Sequence, residues 1–148
     1  LMIRRPPRST HCISSAASDV YKRQVAEFLD ASDRVEKVHY VDYSTPAQRD
    51  LADKYLKGSG GAVFCFDLAG GRNEGVKFIE NLQLFSHLAN VGDAKSLVIH
   101  PASTTHRQLS DSELLDAGIG PGTIRLSIGI EDSDDLISDL ENSLDKLN

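Results

Sequence analysis

Four short segments of the chain carry the apolar patterns of β-strands. VEKVHYV, residues 35–41, alternates apolar and polar positions and is rich in β-branched side chains. AVFCFDL, residues 62–68, is a continuous apolar run, which predicts a central strand buried on both faces. SLVIH, residues 96–100, is stopped by Pro101. TIRLSIG, residues 123–129, alternates strictly and predicts a strand with one apolar and one polar face.

Helical periodicity and capping signals separate these strands. VAEFL, residues 25–29, is typical of the last turns of a helix, and residues 84–86 favour a further short strand. Further helices are predicted from Thr45 to Lys57, from Asn73 to Leu82, from a capping box at Ser110 and Glu113 to Gly118, and from Ser133 onward. This order predicts an α+β domain with a small mixed or antiparallel sheet and helices on one face.

Composition limits the class of protein. With 148 residues, 40% hydrophobic and 26% charged, the chain is long enough for one globular domain, and no apolar run approaches the length of a membrane span. Two cysteines make no disulfide framework, so we expect a buried Cys65 thiol and a reducing, cytoplasmic setting. The first 24 residues carry a net charge of +4, so the rest carries −10 of the total −6, which argues against nucleic-acid binding there.

Residues 1–24 differ in character from the rest. The segment begins with Leu1 instead of methionine, is rich in arginine and serine, and has no core-forming period. A basic nucleic-acid arm and a transit peptide are two interpretations. We favour a third, a non-native tail of translated adapter or vector sequence, which makes residues 25–148 the folded domain and the back end of a longer protein.

Several loops contain residues of the types that bind metals, act as nucleophiles or bind phosphate. His100 and His106 lie six positions apart, but a zinc site needs further ligands, and His39 and His87 are not at ligand spacing, which favours histidines that hydrogen-bond the backbone. Ser103 lies outside any nucleophile-elbow motif. The glycines at 58–61 and 70–71 have neither phosphate-loop form, so we expect turns.

Arg125 lies in the middle of an otherwise apolar strand. A buried lone guanidinium is very costly, so the residue needs an anion. An internal carboxylate and the carboxylate or phosphate of a ligand are both open at this point, since the planar fork binds either in bidentate fashion.

Two longer stretches, NVGDAKSLVIHPASTTH and GTIRLSIGIE, resemble the C-terminal domain of the Cys/Met-metabolism family of pyridoxal-phosphate enzymes. VAEFLDASDRVEKVHYVDYS looks like the helix and first strand of that domain, so the resemblance covers about residues 25 to 148. Within the family the chain is most similar to the O-acetylhomoserine sulfhydrylase branch. The resemblance implies the small domain of the fold-type-I architecture, which closes over the substrate beside a large cofactor domain.

The resemblance also implies a reaction and its partners. Pyridoxal 5'-phosphate, bound by an N-terminal domain, would act as an electron sink while acetate leaves O-acetyl-L-homoserine and sulfide or methanethiol adds, giving homocysteine or methionine. A homotetrameric parent is implied as well. Cystathionine γ-synthase or lyase and methionine γ-lyase are alternatives within the family, and a free-standing amino-acid-binding regulatory module is the alternative of another class.

Carried over by position, Arg125 matches the arginine that grips the substrate α-carboxylate. Asn90 falls where many members have a serine near that carboxylate, and Thr105 matches a threonine near the substrate. No lysine here lies in the family's Ser-x-Thr-Lys type of segment, which supplies the Schiff-base lysine. We therefore expect no catalytic, cofactor-binding or metal residue in these 148 residues, an inactive chain by itself, and exposed apolar surface where a large domain would pack.

Overall fold

A computed structural model describes residues 22–56, 60–91 and 93–147. Their helices are α1 (residues 22–30), α2 (Pro46–Leu56), α3 (Arg72–Asn81), α4 (Asp111–Asp116) and α5 (Ser133–Asp145). Their strands are β1 (Val35–His39), β2 (Val63–Leu68), β3 (Ser86–His87), β4 (Leu97–Ile99) and β5 (Thr123–Ser127), with short 3₁₀ turns at Val41–Tyr43 and Pro101–Ser103. None of the described helices is long and apolar enough to cross a membrane.

The five strands form one mixed sheet in the order β1-β2-β5-β4-β3. The β1/β2, β2/β5 and β5/β4 pairs are antiparallel, and β4 and β3 are parallel. β5 therefore lies at the centre, paired on both sides, although it is the last strand in the sequence. The predicted mixed sheet is confirmed.

One face of the sheet packs against α1, α3 and α5 and forms the hydrophobic core. The alternation predicted for β5 is confirmed, since Ile124 and Leu126 are fully buried in this core. α5 contributes the predicted apolar stripe with Leu136, Leu140 and Leu144. The predicted placement of helices on one face therefore holds for the three helices that build the core.

The prediction that β2 is buried on both faces is wrong. Its side chains alternate: Phe64, Phe66 and Leu68 are buried in the core, while Val63, Cys65 and Asp67 are only half-buried on the second face. Cys65 is accordingly a half-buried free thiol and not a fully buried one. The apolar run in the sequence hid this alternation because valine and cysteine occupy two of the three second-face positions.

Several predicted strand ends also need correction. β1 stops at His39 because a 3₁₀ turn follows, β4 is three residues long, and β5 stops at Ser127. The short strand expected at residues 84–86 lies at Ser86–His87 instead, because the backbone N–H groups of residues 83–85 are bound by the Asp139 carboxylate and not by a neighbouring strand.

The helix caps follow the sequence. The Ser110 hydroxyl accepts from the backbone N–H of Glu113, and the Glu113 carboxylate accepts from the backbone N–H of Ser110 at 2.8 Å, so the predicted capping box is confirmed. These bonds from Ser110 lower the pKa of Glu113. At α2 the Gln48 side chain accepts from the Thr45 backbone N–H at 3.1 Å, which is one half of the predicted box.

The interpretation of residues 1–24 as a foreign tail remains a prediction, and residues 1–21 lie outside the described residues. Residues 22–24 belong to α1. Lys22 is buried and donates to the carbonyl of Gly61, and Arg23 pairs with Asp42 at 2.9 Å. These three residues are thus connected to the folded domain.

α2 is the most exposed described helix. Of its residues only Ala52 is buried, and Leu51, Tyr55 and Leu56 are each more than half exposed, at 55%, 69% and 51%. Three apolar side chains on one short helix are the kind of surface that a neighbouring domain covers. The expectation of a contiguous apolar patch remains a prediction.

Candidate carboxylate-binding site

The second face of the sheet forms the floor of a cavity of about 390 Å³. Strands β1, β2, β4 and β5 supply the floor, and the loop after β4 and the turn after α4 supply the walls. The lining residues are His39, Cys65, Asp67, Ile99, Pro101, Thr105, His106, Gly118, Ile119, Gly120, Thr123 and Arg125. Arg125 is the one cationic side chain of the lysine or arginine type in this lining.

Arg125 lies at the centre of the floor. Its neighbours across the sheet are Cys65 on β2 and Ile99 on β4. Its Nη2 donates to the backbone carbonyl of Asn90 at 3.3 Å, and none of the ion pairs between described residues includes Arg125. The internal carboxylate that the sequence left open is therefore absent from the described residues, and most N–H groups of the guanidinium are available to an anion.

The carboxylate in the same cavity, Asp67, is already engaged. Its Oδ2 lies 2.6 Å from His39 Nε2, and its Oδ1 accepts from the hydroxyl of Thr123. These contacts hold Asp67 across three strands, β1, β2 and β5. The Asp67 carboxylate therefore already has hydrogen-bond partners. The described hydrogen-bond partner of the Arg125 guanidinium is the backbone carbonyl of Asn90.

Asn90 contacts Arg125, but through its backbone. The carbonyl accepts from the guanidinium, whereas the side-chain Oδ1 accepts from the backbone N–H of Val91 at 2.9 Å. Thr105 lines the same cavity, and its hydroxyl lies 2.9 Å from His106 Nδ1. The fold thus brings all three predicted site residues to one place, with Thr105 on the wall and not in contact with Arg125 among the described hydrogen bonds.

The Cys65 thiol shares the floor with Arg125. Burial raises the pKa of this thiol, and the positive charge of Arg125 opposes that rise. The thiol is therefore protonated at neutral pH, and its chemistry here is that of a small polarizable side chain beside the guanidinium.

The loop after β4 is fixed by Arg72 at the start of α3. Its guanidinium donates to the carbonyls of Ala102 and Leu109 and to Asp111 Oδ1 at 2.7 Å. Gly70 and Gly71 have φ values of 100° and 81°, as expected for the predicted turn. The segment considered for phosphate binding therefore serves to anchor the cavity wall, because its cation is already bound.

His100 is a buried structural histidine. Its Nε2 lies 2.8 Å from the carbonyl of Pro121, which can only accept, so Nε2 carries the proton and Nδ1 accepts from the Ser103 hydroxyl at 2.9 Å. Burial lowers the pKa of His100, which keeps the ring neutral. Both ring nitrogens and the Ser103 hydroxyl are thus used in holding the loop, as the backbone-bonding interpretation predicted for His100.

The cavity fits a carboxylate and not a pyridoxal phosphate aldehyde. An internal Schiff base needs a lysine amine, and no lysine is among the lining residues of this cavity in the described part of the chain. The described residues of this cavity therefore offer a group for anion recognition and no amine for a Schiff base.

Comparison with known proteins identifies the family of this chain. The family model for Cys/Met metabolism PLP-dependent enzymes matches residues 16–145. The chain belongs to this family. The members of this family use pyridoxal phosphate, and the resemblance noted in the sequence is confirmed.

Relatives of the chain within the Cys/Met metabolism family are much longer. An O-acetyl-L-homoserine sulfhydrylase of Leptospira meyeri is 50% identical over 122 residues, which are 82% of this chain and 28% of that protein. An L-methionine gamma-lyase of Pseudomonas putida is 42% identical over 120 residues, 81% of this chain and 30% of that protein. The chain therefore spans less than a third of the length of these relatives.

A solved structure shares the fold of this chain. It is described as an O-acetylhomoserine (thiol)-lyase of Campylobacter jejuni and contains a pyridoxyl-lysine monophosphate. It superposes with a TM-score of 0.81 at 39% identity, covering 91% of this chain and 32% of that one. The expected fold class, a small domain of a fold-type-I enzyme, is thereby confirmed.

Sequence reasoning predicted Arg125, Asn90 and Thr105 as site residues but did not predict the residues of the floor around Arg125. Asp67 gave a signal, because an aspartate inside an apolar strand must have partners. His39, Cys65 and Ile99 gave none, since their place beside Arg125 depends on strand order and register, which a single sequence does not reveal.

Proposed function

We propose that this chain is the substrate-carboxylate-binding part of a longer O-acetylhomoserine sulfhydrylase. The observation that carries the proposal is Arg125, a half-buried guanidinium on the central strand that faces a cavity and has no carboxylate partner among the described residues. Sulfhydrylases of O-acetyl-L-homoserine are among the most similar relatives, which supports this substrate.

In this proposal Arg125 binds and orients the α-carboxylate of the amino acid by two parallel N–H···O bonds. The pairing of β5 on both sides fixes the position of the arginine, and the Asn90 carbonyl restricts its fork. The loop held by Arg72 forms one wall of the cavity. The cofactor, held by an upstream domain, would supply the electron sink for loss of acetate and addition of sulfide or a thiol.

The test uses the intact enzyme, expressed from the full-length source gene. Arg125→Ala should raise the KM for O-acetyl-L-homoserine by about 100-fold or more, because a bidentate charged contact is lost. The α-carboxamide of the substrate is the matched control. It lacks the negative charge, so wild type and Arg125→Ala should bind it about equally, and an unchanged KM for O-acetyl-L-homoserine in the variant would refute the proposal.

Two alternatives are separated in the same preparation. A methionine γ-lyase would release methanethiol from L-methionine without added thiol, whereas the proposed enzyme needs O-acetyl-L-homoserine and sulfide or thiol for turnover. A regulatory module would bind the amino acid as the isolated 148-residue chain. We expect that chain to show no turnover with added pyridoxal phosphate, and we expect the intact enzyme to be a homotetramer.

A further inference from the structure

The polar side chains of β5 differ in their hydrogen-bond partners. Thr123, Arg125 and Ser127 share the second face of the strand. The Thr123 hydroxyl donates to Asp67. Ser127 is only 2% exposed, and its hydroxyl has no hydrogen-bond partner in the described structure. A buried hydroxyl without a partner forfeits a favourable interaction, so such groups call for an explanation.

Arg125, between these two hydroxyl residues, is also short of partners. A guanidinium has five N–H donors, and the described hydrogen bond is the long one of 3.3 Å to the Asn90 carbonyl. A bidentate carboxylate would use two more donors and still leave others in a half-buried place. The hydroxyl oxygen of Ser127 accepts hydrogen bonds, so the two under-bonded groups of this strand face are chemically complementary.

The reach is compatible with this pairing. Residues two apart on a strand project to the same face about 7 Å apart along the chain, and an arginine side chain is long enough to lean over that distance. The other neighbours of Ser127 across the sheet are Val63 and Leu97, which offer no side-chain donor or acceptor. Among these neighbours along and across the strands, Arg125 is the residue whose side chain can donate to this hydroxyl.

We propose that Ser127 is a positioning residue for Arg125, whose hydroxyl oxygen accepts a guanidinium N–H when a carboxylate ligand is bound. Ser127 does not touch the substrate. It holds the fork in the plane that matches the carboxylate. This inference rests on the proposed role of Arg125 and extends it to a residue whose hydroxyl has no hydrogen-bond partner among the described residues.

The test compares two buried serines in the intact enzyme. Ser127→Ala removes a hydroxyl that has no hydrogen-bond partner among the described residues, so the melting temperature should stay the same or rise. The KM for O-acetyl-L-homoserine should increase about 3- to 10-fold, the loss of one hydrogen bond, with kcat changed less than twofold. Ser127→Cys keeps the shape of the side chain, with a slightly larger atom that is a poor acceptor, and should raise the KM similarly.

Ser143→Ala is the matched control. The Ser143 side chain is fully buried on α5, and its hydroxyl donates to the Phe78 carbonyl at 2.7 Å, away from the cavity. This variant should lower the melting temperature and leave the KM unchanged. If Ser127→Ala behaves in the same way, Ser127 is merely structural and the inference is overturned.

A second comparison separates this inference from the proposed function. In an Arg125→Ala background, Ser127→Ala should add no further increase in KM, because its effect passes through the guanidinium. If Arg125→Ala raises the KM but neither Ser127 variant does, the inference fails and the carboxylate site stands. If Arg125→Ala has no effect on the KM, the proposed function itself fails.

Discussion

Gly75 sits where α3 crosses the ring of His100, and its replacement by alanine tests that contact. Glycine in a helix interior normally costs stability, so Gly→Ala would usually stabilise a helix by about 1 kcal/mol. Here an added Cβ would lie 2.5 Å from His100 Nε2 and 2.8 Å from two ring carbons. Separations below about 3 Å are not tolerated by real Cβ atoms, so the ring or the helix must move.

The ring of His100 has little freedom to retreat. It is fully buried, and its nitrogens are bound to the Pro121 carbonyl and the Ser103 hydroxyl. Overpacking of a rigid site costs about 1 to 3 kcal/mol. Loss of one ring hydrogen bond adds about 1 kcal/mol, and the gain in helix propensity offsets about 1 kcal/mol. Gly75→Ala should therefore destabilise the fold by about 1 to 3 kcal/mol.

Urea unfolding followed by circular dichroism measures this change. The control repeats Gly75→Ala in a His100→Ala background, where the obstructing ring is absent and the substitution should become neutral or stabilising. The difference between the two backgrounds is the coupling energy, which we expect to be about 2 kcal/mol. A stabilising Gly75→Ala in the wild-type background, or no coupling to His100, would refute this account of the packing.

Three further predictions concern buried and half-buried groups. Asp139→Ala leaves three backbone N–H groups of residues 83–85 without their acceptor, so it should cost about 3 kcal/mol and speed hydrogen exchange of those amides, whereas exchange unchanged from wild type would contradict the role. Because burial lowers the pKa of His100, the unfolded state binds the proton more readily and the unfolding free energy should fall as pH drops below about 6.5; a His100→Asn variant should show a flatter slope. In a Cys12→Ser background, iodoacetamide should alkylate Cys65 more slowly than a free thiol at pH 8, because burial raises the pKa of the Cys65 thiol. Since the Arg125 guanidinium opposes that rise, Arg125→Ala should shift the pH profile of alkylation to higher pH, and a shift to lower pH would contradict this.

Sequence patterns among residues close together along the chain predicted much of the fold correctly. The strict alternation of residues 123–129 placed Arg125 on the face opposite the core, and the capping box at Ser110 marked the start of α4. Such features depend on local geometry, which the sequence encodes directly.

Features that depend on contacts between residues far apart in the sequence were not predicted. The prediction that β2 is buried on both faces was wrong. Its second face lies beside Arg125, which is in register with Cys65 but 60 positions away in the sequence. Likewise the resemblance predicted Asn90 as a site residue, yet its contact with Arg125 is through a backbone carbonyl, which no side-chain pattern reveals. The orphan hydroxyl of Ser127 is also visible only once its surroundings are known.

The strand order has a consequence for synthesis of this protein on the ribosome. β5 separates β2 from β4, so a growing chain holds two unjoined pieces of sheet until residues 123–127 have left the exit tunnel. Until then the inner edges of β2 and β4 present unpaired backbone groups, which are open to pairing with other chains. Nascent chains paused before this strand should therefore aggregate or recruit chaperones, and release past β5 and α5 should be the moment at which the domain closes.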